Sequence, residues 1–307
     1  MSPVRRGIKS DASAIAQRVA DQLFRDHQIE SLVSPEFSRQ DFEFALANSA
    51  TPVWVDDSNG HFRGHLYGAT LDDALHNSQT WTGPDGYSYE SDDVLDNLCE
   101  WAYHSWREQG STAHLVWALA GGGTQAWIER GYQITSVRGA LALPQPWDVT
   151  WPDEHVIRRA SVSDLPAALA FDALIDLAQG TPVDLQTGAQ REENEADLFE
   201  LLDDPDCHYY LLYVDELPAA QCVAFALPAL RGNYDDTIYV SSLAVASAFR
   251  RRGLATRLVR TVLNDSFDDG FRFAEVRWHI DNDAATALWS SLDFRPTYVQ
   301  LHRSLLN

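Results

Sequence analysis

The pattern of apolar positions changes period most sharply between Ile238 and Val262. Residues 238–245 read IYVSSLAV, β-branched and apolar enough for a buried strand, and Leu254, Leu258 and Val262 then recur at the four-residue spacing of a helix. The connection holds Arg250, Arg251 and Arg252, followed by Gly253-Leu254-Ala255. Small residues where a helix begins let a ligand reach the unpaired backbone N–H groups. The positive end of the helix dipole and the three arginines favour a phosphate there.

The pattern continues on both sides. Upstream, residues 157–160 read as a strand and 164–179 as a helix with Pro166 in its first turn; beyond Gly180-Thr181-Pro182 comes a second, acidic helix. Residues 207–214 and 219–227 form a hairpin across Asp215-Glu216-Leu217-Pro218, residues 275–280 form a strand, and Tyr298 lies on a last strand. The first half shows a similar order. Residues 51–56 and 61–70 read as a hairpin around Asn59-Gly60, 87–90 as a short strand, 92–109 as a helix and 113–120 as a strand.

Two matches indicate a repeat. Val4-Arg5-Arg6 with Ser10-Asp11 recurs 153 residues on as Ile157-Arg158-Arg159 with Ser163-Asp164, each a strand followed by a Ser-Asp helix cap. Trp127 with Gly131-Tyr132 recurs 162 residues on as Trp289 with Asp293-Phe294. A length of 307 residues suits two domains of about 150 residues each. The expected division is a first copy over 1–145, a linker over 146–155 near Pro144, Pro146 and Pro152, and a second copy over 156–307. At the offset of 162, Ser91-Asp92-Asp93 stands where the second copy has Gly253 to Ala255, and carboxylates there would repel a phosphate. The first copy is therefore expected to be degenerate. A rival reading makes Gly121-Gly122-Gly123-Thr124, between a strand and a helix, a second phosphate loop.

At the strand-to-helix connection the chain resembles the GCN5-related N-acetyltransferase (GNAT) family. Arg250, Gly253 and Ala255 meet its signature of Arg or Gln, two residues, Gly, one residue, then Gly or Ala; Asn282, Ala285, Leu288, Trp289 and Phe294 are similar to its next motif. The resemblance implies an α/β (α+β) fold of two tandem GNAT-like domains, each a mostly antiparallel twisted mixed sheet with helices on both faces. It also implies that the backbone of Leu243-Ala244-Val245 pairs with the pantetheine arm of acetyl-CoA. Arg250, Arg251, Arg252, Gly253, Leu254, Ala255 and Thr256 would hold the pyrophosphate, and Asn282, Ala285 and Trp289 would complete the cofactor site.

The implied chemistry is direct attack of an amine on the thioester, with no covalent enzyme intermediate and no metal. It needs a neutral amine, a polarised carbonyl and a protonated leaving thiolate. Asp235, Asp236, Glu275 and His279 are the candidate bases, and the sequence singles out none. The family often has a tyrosine acid where Trp289 stands, and an indole cannot serve in that role. Tyr298, Tyr239 or solvent is then the proton donor. The acceptor implied is a small-molecule amine; a protein amine, or non-catalytic acyl-CoA binding, are the alternatives.

Composition narrows the partners. A formal net charge of −22, with Asp+Glu 45 against Lys+Arg 23, argues against nucleic acid. Glu192, Glu193, Glu195, Asp197, Glu200, Asp203, Asp204 and Asp206 crowd the stretch that walls the acceptor pocket in the family. They read either as a wall that draws in a cationic amine or as a solvated helix face. No run of 18 apolar residues and no signal-peptide core occur, so no membrane partner and a cytoplasmic location are expected. Cys99, Cys207 and Cys222 are scattered and read as buried thiols. HExxH, GxSxG, Walker and EF-hand patterns are absent.

Overall fold

In the first half the elements run β1 (Val4–Arg6), α1 (Ala12–Ile29), α2 (Arg39–Asn48), β2 (Trp54–Ser58), β3 (His61–Leu66), β4 (Ala69–Asp73), β5 (Asn77–Thr82), β6 (Tyr87–Tyr89), α3 (Asp92–Glu108), β7 (Ala113–Leu119), α4 (Gln125–Glu129) and β8 (Gln133–Ala142). The second half repeats this order without the β4–β5 hairpin: β9 (His155–Arg159), α5 (Leu165–Ala178), α6 (Gly188–Asp203), β10 (His208–Val214), β11 (Leu217–Ala226), β12 (Thr237–Val245), α7 (Leu254–Asp268), β13 (Phe273–His279), α8 (Asp283–Ser291) and β14 (Arg295–Ser304). The computed structural model describes residues 3–48, 51–58, 60–73, 77–143, 146–178, 188–226 and 232–306. Asn59, Pro144 and the Gly180-Thr181-Pro182 connection lie outside them.

Local chemistry repeats as closely as the order. Arg5 grips Asp11 through bonds of 2.7 and 2.8 Å, and Arg158 grips Asp164 through bonds of 2.7 and 2.6 Å. Each aspartate also accepts a backbone N–H from three residues upstream, Ile8 at 2.7 Å and Ser161 at 2.9 Å. The aspartate rather than the serine beside it thus closes the turn that leads into the helix, and each arginine holds its partner's carboxyl below the usual range. At the other end, Trp127 packs on Tyr132 with ring centroids 5.2 Å apart and planes at 72°, and Trp289 on Phe294 at 5.2 Å and 71°. Between each pair lies a left-handed residue, Gly131 at φ 83° and Asp293 at φ 65°, which lets the helix end and the chain turn back onto the tryptophan.

The sheets show what the repeat alone does not. β1-β2-β3-β6 form one sheet, and β4-β5-β7-β14-β8-β13-β12-β11-β10-β9 form a second that runs through both halves. β8 of the first half lies between β13 and β14, while β14 of the second lies between β7 and β8. Each half has given its last strand to the other, so the central sheet crosses the expected boundary. β8 is antiparallel to both neighbours, which lets main-chain bonds hold the halves together along its length. β6 never meets β7; the inserted hairpin takes that edge, with β5 parallel to β7.

Helix α7 packs on this sheet, and α3 packs chiefly on the four-stranded one. Val94, Leu98, Ala102 and Trp106 of α3 and Leu254, Leu258, Val262 and Leu263 of α7 join one apolar cluster with residues of both halves. The linker is fastened along α7. Trp147 exchanges two bonds of 2.9 Å with the Asn264 side chain, and Trp151 Nε1 donates to Thr261 Oγ1 at 3.2 Å. Buried Glu275 and Arg138 form an ion pair of 2.6 Å across the β13–β8 seam; removing one partner of such a pair costs about 3–5 kcal/mol.

The exchange sets a folding requirement. Residues 1–143 expressed alone lack the strand between β7 and β8 and are expected to show no cooperative urea transition, which should appear on adding residues 146–307. A first half that unfolds cooperatively by itself would contradict the exchange.

Candidate active site

β12 and β13 pair in parallel only from Thr237 opposite Phe273 to Val240 opposite Val276. The cause lies on the other edge of β12. Against β11, Val223 faces Ser242 and Ala224 faces Val240, so Ser241 is an extra residue, a β-bulge that bends its strand. Beyond it β12 stays with β11 as far as Val245 opposite Ala220, while β13 stays with β8 as far as His279 opposite Ser136. A wedge opens between them, and one edge of residues 241–245 is left without a strand partner among the described residues.

At the mouth of the wedge, residues 246–253 lead into α7. Arg250 Nε donates to the Val245 carbonyl at 3.1 Å and Arg252 to the Ala248 carbonyl at 3.0 Å, which folds the connection back on the strand end. Arg251 is exposed, takes a left-handed φ of 65° and makes no bond among the described residues. Gly253 caps α7 at φ 75°, and a Cβ there would meet nothing within 4 Å. No side chain caps this end and no acidic residue sits in its first turn. The N–H groups of Leu254, Ala255 and Thr256 therefore have no capping side chain at the positive end of a 15-residue helix.

The equivalent end in the first half is closed. Only Glu90 and Ser91 separate β6 from α3, so there is no arginine connection, and Asp92 and Asp93 occupy the first turn. Arg63 bonds Asp93 at 3.0 Å, and Ser91 and Arg63 together hold that carboxyl below its usual range. The helix has its own anions. The Gly121–Thr124 reading also fails: Gly122 and Gly123 donate their N–H groups to the Leu119 carbonyl, and the helix that follows has five residues.

Alternation along β13 turns Glu275, Arg277 and His279 to the face opposite α7. The structure separates the candidate bases. His279 is exposed just past the last β12–β13 pair. Glu275 is 4 % exposed and committed to Arg138. Asp235 and Asp236 lie at the far end of β12 from the wedge.

Three further candidates have partners of their own. Tyr298 is 1 % exposed on β14, two strands beyond β13, with its hydroxyl 3.5 Å from Asp26 and its ring 5.0 Å below the Arg138 guanidinium. Burial pushes its phenol well above the usual range and the Asp26 carboxyl up to about 6, so Tyr298 is core rather than a proton donor at the wedge. Trp289 is buried and packs against Phe294. Asn282 caps α8 by accepting the Ala285 N–H at 2.9 Å, which gives that motif pair a structural task.

The acidic residues of α6 point to solvent while Leu198 and Leu202 turn inward. The three cysteines are free and buried. Among the described residues no cluster could hold a metal ion and no helix is long and apolar enough to cross a membrane. The sequence reading passed over Ser241, Arg277 and the polar seam beneath it. The alternation of Glu275, Arg277 and His279 with Val276 and Trp278 was the available signal.

A bulged strand splayed from a parallel neighbour, with an open helix start at its end, present in one half and blocked in the other, defines a tandem GNAT-like protein. Residues 171–294 match the Acetyltransferase (GNAT) family. A GCN5-related N-acetyltransferase from Sphaerobacter thermophilus is similar at 17% identity and a TM-score of 0.65, covering 98% of this chain and 95% of its own. A tandem GNAT protein from the clavulanic acid biosynthesis pathway gives 15%, 0.56, 99% and 98%, and a GNAT-family acetyltransferase from Colwellia psychrerythraea 12%, 0.53, 98% and 98%. At these identities the likeness is one of fold. None of the curated proteins matches the sequence.

Gly253→Asp places a carboxylate at the open helix end on a backbone that aspartate tolerates. It is expected to weaken CoA binding at least about 100-fold by calorimetry, roughly 2.7 kcal/mol, with little change in melting temperature. Unchanged affinity would move the anion site elsewhere.

Proposed function

We propose that the protein is an acetyl-CoA-dependent N-acetyltransferase acting on a small-molecule amine. The observation that carries this reading is the start of α7 at the end of the wedge, whose first turn holds no acidic residue, set against the start of α3, whose first turn holds Asp92 and Asp93. Residues 254–256 and the arginine connection suit a diphosphate, and the free edge of residues 241–245 suits an extended arm with amide groups. Acetyl-CoA supplies an activated acyl group there. The first copy, over residues 1–145, binds no nucleotide and contributes β8 and one wall of the acceptor side.

His279 is the base on this reading. It stands exposed on the acceptor face next to the wedge and takes one proton from the ammonium, directly or through a water. The neutral amine then forms the C–N bond as the C–S bond breaks, and the second proton lost from nitrogen goes to the departing thiolate. No tyrosine acid is required, in keeping with the burial of Tyr298. Backbone N–H groups near Val245 polarise the carbonyl.

Thiol release from acetyl-CoA across a panel of small amines, with the acetylated product found by mass, tests the reading. Turnover with at least one amine is expected, and His279→Ala should lower kcat by about 10²–10⁴ with CoA affinity unchanged. Tight CoA binding without thiol release for any amine, peptide amines included, would make the protein a binder rather than an enzyme.

A further inference from the structure

Registers across the central sheet bring four side chains from four strands into one row on the face opposite α7. Trp117 of β7 lies opposite Gln300 of β14, Gln300 opposite Ser136 of β8, and Ser136 opposite His279 of β13. Directly opposite residues share a face, with their Cβ atoms about 5 Å apart. Gln300 and Ser136 are 1 % and 0 % exposed, yet among the described residues Gln300 Nε2 and Ser136 Oγ have no hydrogen-bond partner. Two buried polar atoms side by side without partners are costly unless something else satisfies them.

Arg277 lies over this row. On a flat sheet β7 would be about 14 Å from β13, but the Arg277 guanidinium is 5.3 Å from the Trp117 ring centroid, 5.6 Å from that of Trp81 and 2.8 Å from Gln300 Oε1. Its side chain crosses the seam between the halves. The two indoles border it and Gln300 takes one N–H, which leaves other edge donors unused. Among the described residues no carboxylate lies within ion-pair distance. The cation directly opposite, Arg138, is neutralised by Glu275, so Arg277 carries an uncompensated charge beside another arginine in a protein of net charge −22. Arg277 is exposed as a residue, while desolvation by the side chains around it pulls its pKa below the usual value.

We propose that Arg277, Gln300 and Ser136 form the seat for an anionic oxygen group, carboxylate or phosphate, on the acceptor, holding its amine beside His279. The inference rests on the acetyltransferase reading and adds a substrate class to it. It reverses the expectation of a cationic acceptor drawn by α6, because the acidic residues of α6 are solvated and the charge at the sheet face is positive. Gln300 Nε2 and Ser136 Oγ would each donate to the anion, which answers their lack of partners. The first half supplies Trp117, Trp81 and Ser136, so a copy without its own nucleotide site is still needed.

The test uses the full chain saturated with CoA and matched probes: glucosamine 6-phosphate against glucosamine, and α-amino acids against their carboxamides. CoA binding is measured first and separately, so a failure there strikes the transferase reading and a failure in the pairs strikes only the anionic seat. By calorimetry, the anionic member of at least one pair should bind tenfold or more tighter than its uncharged partner, and the pair that responds distinguishes phosphate from carboxylate. Arg277→Gln should erase that advantage with CoA affinity unchanged, and Arg277→Lys should restore part of it. Equal affinity within every pair, no binding by any anionic probe, or an advantage that survives Arg277→Gln would overturn the proposal.

Discussion

The exchange of β8 and β14 is the constraint from which the rest of the architecture follows. Each half lacks the strand that would complete its own sheet, and the two missing strands lie side by side at the centre, antiparallel to each other and to their outer neighbours. Main-chain bonds therefore cross the seam, and the buried Glu275–Arg138 pair sits on it. Two smaller contacts add to the join. Arg295 of the second half bonds Glu30 at the end of α1 at 2.6 Å, and Ser34 donates its N–H to the Gly232 carbonyl at 2.9 Å. A continuous sheet makes residues more than a hundred positions apart in sequence into neighbours on one face.

Within this frame the two halves differ, apart from the β4–β5 hairpin, where a strand hands over to its helix. Both run a strand into a helix under a sheet, and both keep the Arg-Asp pair at the start and the Trp-aromatic staple at the end. The second half adds a bulge at Ser241 and an eight-residue arginine connection, and its helix begins on an open left-handed glycine. The first half shortens the connection to two residues and fills the helix start with aspartates held by arginines. Carboxylates in a helix's first turn repel a phosphate from its unpaired N–H groups. A helix start free of acidic residues is found in only one of the two.

Much of this was legible in the sequence because it is local. The change from strand period to helix period around Gly253, the twin arginine pairs and the twin tryptophans are short-range patterns, and the structure has each of them in place. What was not legible is long-range. Nothing in residues 133–142 announces that the strand leaves its own half, and a bulge is a mismatch between two strands rather than a property of one. The hairpin β4–β5 escaped because Asn77–Thr82 is mostly polar and borders the sheet. Tyr298 and Glu275 looked chemically apt, but a tyrosine or glutamate in a strand reveals nothing about which face it takes or what it meets. Tyr298 met Asp26, 272 residues away. Arg277 drew no notice for the same reason, since its partners are Gln300 and two tryptophans from the other half.

The central claim is that one strand end and one helix start grip a nucleotide thioester while their counterparts in the other half do not. Amide hydrogen exchange of the intact protein with and without acetyl-CoA addresses it most directly. Slowed exchange is expected at residues 241–245 and 254–256, with no change at residues 92–95. Protection at the start of α3, or none at the start of α7 under saturating ligand, would contradict it.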